Sequence, residues 1–454
     1  MKLETLERRE KLPVVMEVDV LVAGGGPAGV AAAIAAARAG LRTLVVEQFN
    51  CLGGVATAGG HGHICLYTAW QDPNQRVVGG IPFEVGERVV KAGYGRYFQG
   101  GYDFEVEGMK LVLEQMAEEC GLQLLYHTMV ADAVTDNDSV VGVVVQNKNG
   151  RQVIKARQFV DCTGDGDLAA RSGCTFQMGD EESGLCQPVT LMFTIGGVDM
   201  EKVEEYRRQY KAAHPDEERF WHFTSVWREA QQKGDMRPFQ SRIMGWWWTP
   251  TRPDQIGVNF THMTNIDSTK AEDLTKATIE GRKQAYESIE VYRKYIPGME
   301  NCYMISTPNT VGIRESRRIQ TKYILTKEDI IAENTFADSI GYGSFFIDIH
   351  NCSGIGMDDK TFYPRKGFKY QIPYRILRPG NFDNLQVAGR CAGTTHEALG
   401  SLRVMPQCGV AGQAAGTAAA LALRQQVALD ELDIAELQCE LRRQGAIITE
   451  ADIA

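Results

Sequence analysis

The sequence predicts an α/β fold: a parallel sheet with helices and a β-meander, interrupted by an inserted α+β domain. Three observations predict it. Val18 to Glu47 reads VDVLVAGGGPAGVAAAIAAARAGLRTLVVE, a strand, a glycine turn, a small-residue helix and a second strand ending on a carboxylate. Thr128 to Ala156 alternates apolar and polar residues between two turn clusters, Asp136-Asn137-Asp138 and Asn147-Lys148-Asn149-Gly150, which predicts a three-stranded meander. Near the C-terminus the first pattern returns, with Asn384 to Arg390 as a strand entering a glycine turn and Met405 to Leu423 as a small-residue helix.

The first passage carries the most chemistry. Gly24, Gly26 and Gly29 supply the spacing Gly-x-Gly-x-x-Gly, and the apolar run before them and the helix after them are the surroundings that make it a dinucleotide fingerprint. Gly24 allows a sharp turn. Gly26, without a Cβ, lets a pyrophosphate approach the backbone. Gly29 lets the helix lie close on the sheet, and the N–H groups of the helix start face the phosphates. Glu47, 18 residues beyond Gly29, is placed to accept hydrogen bonds from a ribose diol and to repel a 2′-phosphate.

Bulk properties narrow the class. The chain has 454 residues, 44% hydrophobic and 23% charged, enough for two cores. Its net charge of −10 and lack of a polybasic run argue against nucleic acid and anionic membranes as partners. No apolar stretch has the length of a membrane span. The opening MKLETLERREKLPVV lacks an apolar signal core, so a cytoplasmic location is expected. The eleven cysteines include no Cys-x-x-Cys pair, which fits reduced, mostly buried thiols and no metal or cluster site.

Between the landmarks, paired glycines at 53–54, 59–60 and 79–80 form loops able to lie flat on a ligand. Glu107 to Cys120 reads as an amphipathic helix, Gln123 to Tyr126 as a strand, and FVDCT at 159–163 as a further short strand before Gly164-Asp165-Gly166-Asp167. From about Gln187 the pattern changes. Polar helices (Met200 to Ala213, and about Lys270 to Tyr295), the segment HPDEERFW, the cluster Trp246-Trp247-Trp248 and a strand at Gln255 to Phe260 predict an inserted substrate or cap domain. The expected division is 15–186 with 376–445 for the dinucleotide domain and 187–375 for the insert. The closing element is a helix from Leu429 to Arg443.

A meander before FVDCTGD, and a C-terminal glycine turn followed by a helix with Pro406 in its first turn, favour FAD over NAD. The start of that helix would face the flavin ring where negative charge grows on reduction. No second complete glycine fingerprint is present, so a separate NAD(P)H domain is not expected.

At this point the chain resembles the FAD-dependent oxidoreductases of the glutathione-reductase superfamily, through VLVAGGGPAGVAAAIAAARAG, LGGVATAG, FVDCTGDGDLA, GIRESRRI and NLQVAGRCAGTTHEALGSLRVMPQCGVAGQAAGTAAALA. These cover about a fifth of the chain, spread from end to end. His396 to Ser401 also resembles, distantly, a substrate loop of succinate dehydrogenase and fumarate reductase flavoproteins, though the arginine inside that loop is missing and Arg403 follows it. In those proteins FAD is attached through a histidine; His61 and His63 lie in a comparable region, but non-covalent FAD is expected here.

Cofactor contacts are expected from Gly24, Gly26, Pro27, Ala28, Gly29, Glu47, Gln48, Gly53, Gly54, Val130, Thr163, Gly164, Asp165, Gly389, Arg390, Arg403, Cys408 and Gly409. For catalysis, His396 is expected to manage a proton at the ring. Arg403 is expected to clamp the reduced flavin or a substrate anion. Arg314, in GIRESRRI, is expected either to bind an anion or to join the domains by ion pairs. Trp246 to Trp248 reads as strand core or as an aromatic substrate wall. The expected activity is hydride transfer between flavin and a small polar, anionic-capable molecule, with a homo-oligomer left open. The rival readings are a tRNA-modifying flavoprotein, a protein that uses FAD structurally, and a thiazole-synthase-like sulfur donor.

Overall fold

The computed structural model describes residues 10–217, 223–240, 245–380 and 382–453. The opening residues 1–9, and residues 218–221 of the HPDEERFW segment, lie outside the described residues.

The chain opens with β1 (Val14–Ala23), α1 (Pro27–Arg38) and β2 (Thr43–Val46). Helices α2 (Gly80–Lys91) and α3 (Val106–Glu119) lead to β3 (Gln123–Leu125). The meander follows as β4 (Met129–Asp136), β5 (Ser139–Asn147) and β6 (Gly150–Asp161). FVDCT is not a separate strand. Its first residues are the end of β6, because Phe159, Val160 and Asp161 continue without a break into the row beside β1. The first part of β6, to Ile154, pairs antiparallel with β5, while Val153 to Asp161 runs parallel to β1. Its last residues also pair parallel with β13 (Leu385–Val387). One strand thus joins meander to parallel sheet, whose order is β3-β2-β1-β6-β13.

The insert carries its own layer. β7 (Phe193–Gly196), β8 (Gly245–Thr249), β9 (Arg252–Asn259) and β10 (Tyr303–Ser306) form an antiparallel sheet in the order β8-β9-β7-β10. Helices α5 (Met200–Ala213), α6 (Thr224–Gln232) and α7 (Ala271–Tyr295) accompany it, α4 (Asp167–Arg171) having closed the preceding unit. Phe193, Ile195, Trp227, Ile256, Phe260 and Tyr292 are among its buried side chains. The chain then returns through β11 (Ser339–Gly343) and β12 (Tyr370–Pro373), whose Ile340, Tyr342, Tyr370 and Ile372 pack in the main core with α1.

After β13 come α8 (His396–Leu402), α9 (Met405–Gln425) and α10 (Ile434–Arg443). α10 starts later than Leu429 because Asp433 caps it, accepting from the Ala435 N–H. The decisive packing is α1 against α9. A Cβ on Gly412 would come within 2.0 Å of the Ala28 carbonyl oxygen, and one on Gly416 equally close to that of Ala32. Only glycine allows the two backbones to touch, and that contact sets the two helix starts side by side. Among the described residues, no helix is long and apolar enough to cross a membrane.

Candidate active site

Both helix starts open into one cavity of about 1550 Å³. The Gly24 N–H donates to the Val46 carbonyl at 2.8 Å and the residue adopts φ +92, so the chain leaves β1 in a turn that favours glycine. Gly26 is the N-cap of α1 and Pro27 opens the helix; no side chain caps it. A Cβ on Gly26 would meet nothing nearer than Gly54 Cα at 4.0 Å, whereas one on Gly29 would sit 1.8 Å from the Gly24 carbonyl oxygen. Gly26 therefore faces space and Gly29 faces packing. Helix α9 starts after Val404, again without a side-chain cap. Two uncapped helix starts on one elongated cavity offer donors and positive dipole ends to an anionic ligand.

Glu47 sits at the first end of this cavity. Its carboxylate accepts from the Gly25 N–H at 2.6 Å and the Phe49 N–H at 2.8 Å, and burial pushes its pKa up. Of the expected cofactor residues, Gly24, Gly26, Pro27, Ala28, Glu47, Gln48, Gly54, Val130, Thr163, Gly164, Asp165, Gly389, Arg390, Arg403 and Cys408 line the cavity. Gly29, Gly53 and Gly409 do not; they serve the backbone behind it. The Gly53 N–H donates to the Gly25 carbonyl at 2.8 Å, and a Cβ on Gly409 would press on Pro82 at 2.7 Å. Arg390 ties the far wall, donating to Asp165 at 2.9 Å and Ser316 at 2.6 Å.

Arg403 and Arg314 meet at the cavity wall. Arg403 donates to Asp348 Oδ2 at 2.8 Å and to the Asp348 carbonyl at 3.0 Å, and its Nε has no partner. Arg314 is buried and donates to the Pro188 carbonyl at 2.7 Å. Burial and the neighbouring Arg403 pull its pKa down, to about 9. Against the opposing push of burial, His350, Arg403 and Arg314 hold the Asp348 carboxyl well below the usual range. His350 Nε2 lies 3.6 Å from Asp348 Oδ1, and burial keeps its imidazole neutral, with a pKa of about 4. Burial does the same to His61, at about 3.

His396 is elsewhere. It is buried and absent from the cavity wall, with Nδ1 3.0 Å from Glu315 Oε1. Burial pulls its pKa down, but hydrogen bonds with Cys352 and Glu315 outweigh that and raise it to about 10. The expected position beside a flavin ring does not match this placement. The physical reason is that Glu315, fully buried, draws both His396 and Arg318 into an ion-paired core. GIRESRRI thus splits three ways: Arg314 faces the cavity, Arg318 pairs with Glu315, and Arg317 donates to the Asp165 carbonyl at 3.0 Å and to Asp167 at 2.9 Å.

Trp246, Trp247 and Trp248 are strand residues of β8 and also cavity lining. Across the sequence, Asp348 and His350 went unnoticed. Their signal is a two-residue alternation, Asp348-Ile349-His350, around an Ile349 that is fully buried. Cys51 is buried, 3.6 Å from Thr57 Oγ1, and all eleven cysteines are free thiols.

A thiamine thiazole synthase of Methanococcus aeolicus is 30% identical over 183 residues, 38% of this chain and 64% of its own. A digeranylgeranylglycerophospholipid reductase 2 of Methanopyrus kandleri is 28% identical over 203 residues, 41% of this chain and 47% of its own. The chain spans about half to two thirds of the length of these curated relatives. Among solved structures, a geranylgeranyl bacteriochlorophyll reductase-like protein of Thermoplasma acidophilum aligns over 96% of this chain and 94% of its own, at 13% identity and a TM-score of 0.44. The family model for FAD dependent oxidoreductases matches residues 19–441, and the chain, with its Gly26 cradle and Glu47 carboxylate, belongs to the FAD-dependent oxidoreductase family.

Proposed function

We propose that this enzyme transfers hydride between FAD and a small polar organic substrate that carries an anionic group. In this reading Glu47 and Gln48 hold the adenosine, Gly26 and the start of α1 hold the pyrophosphate, and the start of α9 faces the flavin. Bound there, FAD supplies a two-electron acceptor or donor for hydride.

One observation carries the substrate class. Arg314 and Arg403 line the same wall, Asp348 neutralises one of them, and Arg314 makes no hydrogen bond to a carboxylate among the described residues. Two buried guanidiniums that share one carboxylate are short of one negative charge, and a substrate carboxylate supplies it in a geometry that guanidinium matches. Arg403 Nε, buried and unpartnered, offers one further donor. His61 and the Trp247 ring, with centroids 4.8 Å apart, line the same cavity as the arginines.

The 30% identity to thiazole synthases favours a second reading, sulfur transfer from a cysteine. Cys65, which lines the cavity, argues against it, because burial pushes its thiol up to about 12 and leaves it protonated.

Anaerobic titration of the FAD-loaded protein with hydroxy acids, amino acids, enoates and their uncharged esters tests the proposal. Bleaching of the flavin band by an acid and not by its ester supports it. A flavin that no member of the panel reduces, before or after chemical reduction and reoxidation, overturns it.

A further inference from the structure

We infer that His63, with Asp103 and Arg96 behind it, is the proton-handling side chain of this cavity; the inference rests on the hydride-transfer reading and adds a residue to it. The arrangement comes from strand register. His63 lies opposite Asp103 in one antiparallel pairing, and Asp103 lies opposite Arg96 in the next. Residues directly opposite one another in a sheet project from the same face, so the three side chains form a single row.

The contacts along the row are close. His63 Nδ1 lies 2.8 Å from Asp103 Oδ1, and Arg96 reaches Asp103 Oδ2 with Nε at 3.0 Å and Nη2 at 2.7 Å. Asp103 is 1% exposed and fully engaged, while the His63 side chain is 25% exposed. All three residues line the cavity. The Arg96 guanidinium is itself held over the Trp248 ring, 5.0 Å from its centroid. The insert therefore braces the far end of the row.

This geometry assigns the tautomer. A carboxylate can only accept, so Nδ1 carries the hydrogen and Nε2 is the basic nitrogen. Nε2 has no hydrogen-bond partner among the described residues. The ring lies 6.4 Å from that of His61, whose surroundings include Arg314 and Arg403, so the row stands next to the anion-binding wall. The two other histidines that line the cavity are poor rivals. His61 is driven neutral by burial, and His350 has its Nδ1 buried without a partner and its Nε2 towards Asp348.

A substrate alcohol or amine loses its C–H hydrogen with the bonding electron pair to FAD, and its O–H or N–H bond breaks as the proton passes to His63 Nε2. The C–O or C–N bond gains its second bond from the electrons the proton leaves behind. Asp103 then faces an imidazolium, which it stabilises, and the proton leaves to water. In the reducing direction the same nitrogen donates. Asp103 and Arg96 are positioning residues.

Acylation of the FAD-loaded protein by diethyl pyrocarbonate, followed residue by residue by mass spectrometry, tests this without a substrate. His63 is expected to react faster than the exposed His127, although it is the less exposed of the two. Asp103→Asn keeps the shape but lets the ring adopt the other tautomer, and should slow His63 by about tenfold while leaving His127 unchanged. Oxalate should protect His63 and not His127. A second readout, the nitrogen shifts of labelled histidine, should show His63 protonated at Nδ1 in the wild type and at Nε2 in Asp103→Asn. A His63 rate at or below that of His127, or one indifferent to Asp103→Asn, overturns the inference. The hydride-transfer reading fails separately, by absence of bleaching.

Discussion

Arg403 donates to Asp348 Oδ2 at 2.8 Å, and Arg403 and Arg314 both hold the Asp348 carboxyl in its charged form. Removing that charge leaves two guanidiniums facing each other. Asp348→Asn is expected to lose roughly 3–5 kcal/mol of stability, the usual result of breaking a buried pair from one side. Part of the loss should return in acetate or oxalate, because an anion takes the place of the carboxylate. Urea unfolding at matched ionic strength, with chloride as the comparison, checks both halves.

Gly26 and Gly29 separate binding from packing within one motif. A Cβ on Gly26 enters open space, and its φ of −68 suits alanine. Gly26→Ala should unfold at the wild-type urea midpoint yet bind FAD at least tenfold more weakly, about 1.4 kcal/mol. Gly29→Ala drives a methyl into the Gly24 carbonyl and should cost roughly 1–3 kcal/mol of stability even without FAD. Urea unfolding of the apoproteins and flavin fluorescence quenching distinguish the two effects.

His396 provides a pH signature. Its folded pKa is raised from 6.5 to about 10, so the stability it contributes is complete below about pH 6.5 and is lost as pH rises through 10. Across that window unfolding free energy should decline by up to about 1.4 kcal/mol per pH unit from this group. His396→Gln should flatten the decline and lower stability at pH 6.5. Denaturation curves at pH 6.5, 8 and 9.5 for both proteins measure it. Retained flavin content in His396→Gln would match its position behind the cavity wall.

The parallel sheet and the glycine turns were legible because they rest on local requirements. Gly24 needs a positive φ, Gly29 needs a backbone contact, and Pro27 and Pro406 mark helix starts. The continuity of β6 was harder to read, since Lys155, Arg157 and Gln158 separate Val153-Ile154 from Phe159-Val160 while the strand passes from meander to parallel partner. His396 misled because a histidine after a glycine turn reads as a ligand contact. Nothing local announces Glu315, 81 positions away, as its partner. The row of His63, Asp103 and Arg96 is likewise a product of register between three short strands, and sequence spacing of 40 and 7 residues does not display it. Asp348 and His350 had a local signal in their alternation, masked by the aromatic run Phe345-Phe346 before them.

The proposed anion-binding role of Arg314 and Arg403 is tested most directly by titrating oxalate into FAD-loaded protein and following the visible flavin spectrum. The wild type should show a saturable change, and Arg314→Met/Arg403→Met should show none while holding the same amount of flavin. A spectrum that oxalate leaves untouched in the wild type, or an equal saturable change in the double variant, would contradict the account.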